Sequence, residues 1–288
     1  MAHALTKNGF ETICFDRFLS PHWPKDAKTI VDDFGKFPDE LLKILDDAFV
    51  LHLISSSLPS PKTQFASDEV SNDLVTTIKF LEMTLDRSLR WIFLSSGGTV
   101  YGDGGQSPLD ELSPTNPICS YGAVKLSIER YFALYHQIHD LDYVTLRLSN
   151  PYGPWQYPLK GQGLISVLLY NVLNNIPVEI WGDGYNVRDY IYIDDAIDGI
   201  IAAGIKDQSN GIYNIGTGDG LTIKQLIGKV EEVVGKFIDV RYCLPRHFDV
   251  RYNVLNIKKI TTKTSWKPKL TISEGIKLTA DWVFNKVK

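Results

Sequence analysis

Apolar residues in this chain fall into short continuous runs separated by longer stretches with helical spacing. Residues 1–8 carry Ala2 and Leu5 on one face and stop at Asn8-Gly9, the pattern of a helix C-terminus. An apolar run at 10–15 ends in Asp16-Arg17, and a shorter one at 29–31 ends in Asp32-Asp33. Both read as strands, and 38–45 reads as a helix. A buried strand at 49–54, a helix at 68–85 and a strand at 91–94 follow, then a polar Gly/Ser turn. A helix at 121–138 feeds a strand at 144–148. Strands alternating with helices imply an α/β chain with a parallel sheet covered on both faces.

The pattern loosens beyond residues 150–154, and the segments become shorter. Helices are predicted at 164–174, 195–203, 223–234 and 272–285, and strands at 178–181, 190–193, 212–215 and 238–243. No repeat, low-complexity tract or long linker interrupts the chain. The change of rhythm is therefore read as a boundary between two lobes, 1–157 and 158–288, within one compact unit.

Composition narrows the function classes. The chain has 288 residues, 44% hydrophobic and 22% charged, with a net charge of −4, which excludes collagen-like, coiled-coil and disordered classes. That charge gives no electrostatic case for nucleic acid or an anionic membrane. No apolar run approaches the ~20 residues of a membrane span, and no signal peptide is recognisable. The 3 cysteines, Cys14, Cys119 and Cys243, are scattered without a CxxC spacing, which favours a reduced, cytoplasmic chain. His52 sits inside an apolar run and reads as a core residue. His136 and His139 lack a carboxylate at metal-site spacing, so no metal is expected.

The candidate chemistry starts at YGAVK, residues 121–125, which opens a helix. A spacing of four places Tyr121 and Lys125 on one face. An ammonium beside a phenol stabilises the phenolate and draws its pKa down from about 10, giving a base suited to a sugar hydroxyl. Alone, this spacing is more simply an amphipathic helix with a solvated lysine. The Gly-rich run SSGGTVYG at 95–102, placed at the carboxyl end of a predicted parallel strand, favours the chemical reading, because open α/β sheets bind ligands there. Further motifs follow in order: LRLSNPYG at 146–153, GDGYNVRDYI at 182–191, YNIGTG at 213–218 and RHFD at 246–249.

Taken together, the chain resembles an extended short-chain dehydrogenase/reductase of the NAD-dependent nucleotide-sugar epimerase/dehydratase group typified by UDP-glucose 4-epimerase. The resemblance spans essentially the whole chain. It implies a Rossmann-type doubly wound sheet with a smaller α/β C-terminal substrate lobe, and Tyr121 and Lys125 as the catalytic pair. It places Asp16 on the adenosine ribose, which favours NAD over NADP, and Asp33 beside the adenine. Leu53, Ile54 and Ser55 would lie along the pyrophosphate, with Ser149 also facing the cofactor. Asn72 or Asp73 would correspond to a cofactor-contacting asparagine. Asn150, Arg188, Arg246 and Asp249 would hold the UDP-sugar, guanidinium groups matching phosphate oxygens bidentately. Trp181 and Tyr190 read as core aromatics. The implied reaction is inversion at C4 of a UDP-hexose through a 4-keto intermediate, by a homodimer formed through the helices at 68–85 and 121–138.

Two departures accompany the resemblance. Relatives place a hydroxyl third in the 95–102 motif, where this chain has Gly97; Thr99 or Ser96 is then the candidate hydroxyl, Thr99 being preferred. A 4,6-dehydratase carries an Asp-Glu pair where Gly98 and Thr99 stand, which disfavours that rival. The second departure is that no GxGxxG or GxxGxxG precedes the Asp16 strand. The usual strand, turn and half-helix amount to about 20 residues. A shortened chain and a cofactor-poor nucleotide-sugar binder both fit, and intact Asp16, Tyr121 and Lys125 favour the first. The expectation is weaker NAD binding and lower stability than in an upstream-extended form, and equal affinities by calorimetry would overturn it.

Overall fold

The computed structural model describes residues 1–57, 66–103, 105, 107–158, 163–245 and 249–286. The first half runs α1 (Ala2–Lys7), β1 (Ile13–Asp16), β2 (Lys28–Val31), α2 (Asp39–Lys43), β3 (Ala48–His52), α3 (Ala66–Glu69), α4 (Thr76–Glu82), β4 (Leu89–Ser96), α5 (Ser120–His139), β5 (Asp142–Leu148) and β6 (Asn150–Tyr152). The second runs α6 (Leu164–Asn174), β7 (Val178–Trp181), β8 (Val187–Tyr192), α7 (Ile193–Ile201), β9 (Gly211–Ile215), β10 (Gly220–Thr222), α8 (Ile223–Val234), β11 (Val240–Cys243), β12 (Tyr252–Asn253), α9 (Lys258–Thr264) and α10 (Ile272–Lys286). No helix among the described residues is long and apolar enough to cross a membrane.

The main sheet is parallel, in the order β3-β4-β5-β9. Its strands read as nearly continuous apolar runs because helices cover both faces. β4 is buried almost throughout, and Trp91, Phe93 and Phe132 of α5 are completely enclosed with Phe80 of α4 beside them. On the other face, Ile92, Val144 and Leu146 pack against Ile197, Ile200 and Ile201 of α7. A third cluster joins α6, α8 and α10 through Leu168, Leu169, Leu226, Val230 and Ile276. α8 is stopped and started by local chemistry: Thr222 and Gln225 form a reciprocal capping box, and Gly235 closes the helix at φ 71°.

Several elements differ from the expectations. The strand predicted at 10–15 begins only at Ile13, and among the described residues β1 pairs with β2 alone, separate from the main sheet. Asp33 does not end a strand; its carboxylate accepts from Gly35 N at 2.8 Å and caps a 3-10 turn, Phe34–Lys36. The helix predicted at 68–85 contains a π-helical segment, Val70–Val75, between α3 and α4. Trp181 is 41% exposed and is not a core aromatic. The short strands β6, β10 and β12 and helix α9 carry too few residues for periodicity to reveal them.

Candidate active site

The site is assembled where β4, β5 and β8 deliver their carboxyl ends or edges. The turn after β4 is held by Gly97 N donating to Leu148 O at 2.8 Å and by Val100 N donating to Ser96 O at 3.1 Å. Gly102, at φ 68°, admits no side chain, since a Cβ there would lie 2.0 Å from Asn116 O. The amino end of α5 is drawn against this turn by Gly122, whose added Cβ would be 3.0 Å from Thr99 O. Close approach of the two backbones is what brings Tyr121 to the 96–99 segment.

Lys125 lies one turn along α5 and is almost fully buried. Its Nζ donates to Leu94 O at 3.2 Å and sits 5.0 Å from the Phe93 ring centre and 5.7 Å from that of Tyr121. The electrostatics correct the expectation for the phenol. Burial pushes Tyr121 up to about 12, with Asp73 and Cys119 adding to the shift, rather than Lys125 drawing it down. Burial also lowers Lys125 to about 8, opposed by Asp73 and Glu129. Without ligand, Tyr121 is therefore held as a phenol.

The missing hydroxyl has a packing cause. A Cβ on Gly97 would lie 2.6 Å from Leu255 Cδ1 and 3.2 Å from Arg147 O, so Leu255 fills the space a side chain would take. Gly98 is open, its nearest neighbours being Asn150 Oδ1 at 3.7 Å and Ser96 Oγ at 3.8 Å. Ser96 and Asn150 thus flank the same small space. The hydroxyls of Thr99 and Ser149 are buried without a hydrogen-bond partner among the described residues.

Strand pairing sets Asn150 and Arg188 on the neighbouring strands β6 and β8. Asn150 stands opposite Tyr190 across β6 and β8, and its Nδ2 donates to Asp189 O at 2.9 Å. Arg188 stands opposite Asn253 of β12. Burial lowers the Arg188 pKa, with Tyr190, Asp249 and Asp103 opposing that shift. Arg246 lies outside the described residues. Asp189 carries no expected role, yet it organises this region. Fully buried, it accepts from Thr217 N and Oγ1, Gly218 N and Leu255 N, tying β8 to the YNIGTG loop and to the segment that packs on Gly97. The loop it holds is 28 residues away in sequence.

The remaining candidates are placed as follows. Asp16 is exposed at the carboxyl end of β1, with Oδ1 accepting from Phe18 N at 3.2 Å. Leu53 is 47% exposed, whereas Ile54 packs on the core and Ser55 Oγ donates to Asp73 Oδ2 at 3.0 Å. Asn72 is exposed and Asp73 is 5% exposed, so of the two it is Asp73 that faces inward. Trp155, at φ 73°, packs its ring 4.2 Å from that of His22, tilted by 41°, and joins the loop after β1 to the segment after β6. His52 is buried against Thr77 Oγ1 at 2.8 Å, and burial depresses it to about 3, so it is neutral. Among the described residues no three His, Cys, Asp or Glu side chains are grouped to hold a metal ion.

Comparison with known proteins gives this geometry a family. The profile of the NAD dependent epimerase/dehydratase family matches residues 1–216. The chain belongs to that family. Within it, a dTDP-4-dehydro-6-deoxyglucose reductase of Escherichia coli is 31% identical over 228 residues, covering 79% of this chain and 72% of the reductase. A crystal structure of UDP-glucose 4-epimerase from Thermotoga maritima with UDP-glucose superposes with a TM-score of 0.92 at 28% identity, covering 99% of this chain and 94% of that one. The UDP-glucose 4-epimerase of Thermus thermophilus, in complex with NAD, gives 0.91 at 27% identity with the same two coverages. This member of the NAD-dependent epimerase/dehydratase family therefore has the Rossmann-like fold of the short-chain dehydrogenase/reductase epimerases. Its relatives perform more than one reaction on nucleotide-sugars.

Proposed function

We propose that this chain is a 4-epimerase of a UDP-hexose of the UDP-glucose/UDP-galactose type, working through a 4-keto intermediate. The observation that supports the reading is the approach of α5 to the 96–99 turn at Gly122, next to Tyr121 in the chain, whose added Cβ would lie 3.0 Å from Thr99 O. Tyr121 is assigned the proton of the sugar 4-hydroxyl, and Thr99 or Ser96 the hydroxyl that orients it. Asn150, Arg188 and Asp249 are assigned to the nucleotide diphosphate and ribose, with Arg246 from outside the described residues.

The residues fit NAD as the cofactor. Asp16 lies exposed at the carboxyl end of a parallel strand, where α/β sheets bind ligands. The partnerless Ser149 hydroxyl leaves a buried donor free for it. In this reading Asp16 holds the adenosine ribose, Asp33 lies near the adenine, Leu53, Ile54 and Ser55 follow the pyrophosphate, and Lys125 holds the nicotinamide ribose. When bound, NAD supplies the acceptor and donor of the C4 hydride and, in its oxidised form, a positive charge. Tyr121, a phenol without ligand, would give its proton up only in that loaded state. Open space at Gly98, with no Asp-Glu pair, supports epimerisation over 4,6-dehydration. We further propose the lobe boundary at 157/158, and a homodimer through α5 and the α3–α4 helix, where Val70, Val75, Met83, Leu134 and Ile138 are exposed.

The test is incubation of the purified chain with NAD and either UDP-glucose or UDP-galactose, followed by chromatographic separation of the epimers. The same mixture approached from both sides is expected. A 4-keto-6-deoxy product would make the chain a dehydratase. Nucleotide-sugar binding with no NAD, bound or released on denaturation, would favour a non-catalytic binder.

A further inference from the structure

The backbone amides of the turn after β4 are not used alike. Gly97 N donates to Leu148 O at 2.8 Å, Thr99 N to Ser96 O at 3.2 Å and Val100 N to Ser96 O at 3.1 Å. Between them, Gly98 N has no acceptor among the described residues. Gly97 is buried, whereas Gly98 is half-buried. A Cβ on Gly98 would meet nothing nearer than Asn150 Oδ1 at 3.7 Å and Ser96 Oγ at 3.8 Å, so this residue borders the open space between those two side chains.

The direction of the Gly98 N–H is set from far along the chain. Asn253 of β12 is completely buried, and its Nδ2 donates to Gly97 O at 2.9 Å. The Gly97–Gly98 peptide is trans, so its N–H points opposite to its carbonyl and therefore away from Asn253. Rotation of this peptide is opposed on the other sides of Gly97, where N is tied to β5 and Leu255 fills the space of a side chain. Asn253 is itself held in register with Arg188 of β8, and Leu255 N with Asp189. The segment 253–255 thus fastens the turn to the strand that carries Arg188.

We propose that the Gly98 N–H is a hydrogen-bond donor to the reacting 4-oxygen of the sugar, and that Asn253 is the positioning residue that aims it. Leu255 excludes a side-chain hydroxyl at residue 97, and the next backbone amide supplies a donor in the same turn. Such a donor stabilises the negative charge that develops on the oxygen as its proton leaves for Tyr121, with little reorganisation because the peptide is already held. The inference rests on the epimerase reading for the identity of that oxygen.

The test follows the amide itself. With glycine labelled by 13C at the carbonyl and by 15N, an HNCO spectrum retains only glycine amides that follow another glycine, Gly98 and Gly105. The peak missing from Gly98→Ala is that of Gly98. In the unaltered chain with NAD, UDP-glucose is expected to move the Gly98 proton downfield, and UDP alone to leave it in place. Asn253→Ala and the similarly shaped Asn253→Leu lack the donor. Both are expected to move the Gly97 carbonyl carbon upfield and to lose the response to the sugar. Their kcat is expected to fall about tenfold or more, with unchanged UDP affinity by calorimetry, because backbone pairing holds Arg188. A Gly98 proton that ignores UDP-glucose, or moves equally with UDP, overturns the donor, and this result needs only the unaltered chain. An unchanged carbonyl and sugar response in the Asn253 variants overturns the positioning role. A Gly98 response in a chain that converts no sugar would leave the donor standing and remove the epimerase reading; conversion with a silent Gly98 would do the reverse.

Discussion

Replacing Gly97 by serine is the most direct probe of how this site departs from its relatives. The substitution supplies the hydroxyl that the resemblance expects there, but its Cβ would start 2.6 Å from Leu255 Cδ1 and 3.1 Å from Cδ2, with Arg147 O at 3.2 Å on another side. The backbone carbonyl cannot retreat, because Arg147 is within β5, paired on both edges. Leu255 is fully enclosed and its N–H is bonded to Asp189, so it yields only by changing rotamer. Overpacking of this kind costs about 1–3 kcal/mol. Leu255→Ala alone should cost about 2–5 kcal/mol through lost burial and the cavity left behind. The pair should cost less than the sum by at least about 1 kcal/mol, since each change relieves the defect of the other. Urea denaturation of the four proteins, followed by circular dichroism, measures the cycle. A Gly97→Ser protein as stable as the parent, or single effects that simply add, would refute the packing argument.

Other expectations follow from the same geometry. Glu129→Gln should destabilise by about 3–5 kcal/mol, because it leaves the Arg147 guanidinium buried without its counter-charge; urea denaturation reads this, and a loss below about 1 kcal/mol would contradict it. Asp189→Ala strips acceptors from Thr217, Gly218 and Leu255, and should cost at least about 1–3 kcal/mol while weakening UDP binding in calorimetry; intact UDP affinity would separate Arg188 from this scaffold. His52 is depressed to about 3. Its unfolded form, near 6.5, therefore binds the extra proton between these values, and stability falls as pH drops through that window, by up to about 5 kcal/mol. His52→Gln should flatten this part of the stability–pH curve, and an unaltered slope would assign it to other groups. Thr99→Val should lower kcat for epimerisation by about tenfold or more if its hydroxyl orients the sugar; unchanged turnover would transfer that task to Ser96.

Much of the site was legible from local pattern. Tyr121 and Lys125 share a face because a helix repeats every 3.6 residues, and Asp16 ends a strand because an apolar run ends there. The wider fold was legible for the same reason, since β4 carries the apolar run Trp91 to Leu94 and β5 is apolar at most of its positions. The motif order then carried the family. What pattern did not carry were meetings between distant residues. Leu255 against Gly97, and Asp189 against the Thr217 loop, join segments that no periodicity relates. The ambiguity between Asn72 and Asp73 had the same origin: adjacent residues on a regular helix are only about 100° apart, and the π-helical segment settled which turned inward.

Residue types and spacing determined the α/β class, the order of the elements, and a phenol and an ammonium on one helical face. These are short-range properties, set by backbone periodicity and by which side chains avoid water. Tertiary structure decided the protonation states of that pair, the loss of side-chain space at residue 97, and the separation of β1–β2 from the main sheet. Each depends on how closely remote atoms approach and how completely water is excluded between them. The adjacent sequence predicted a phenol made acidic by its lysine neighbour; burial, with the Asp73 charge, made it the reverse.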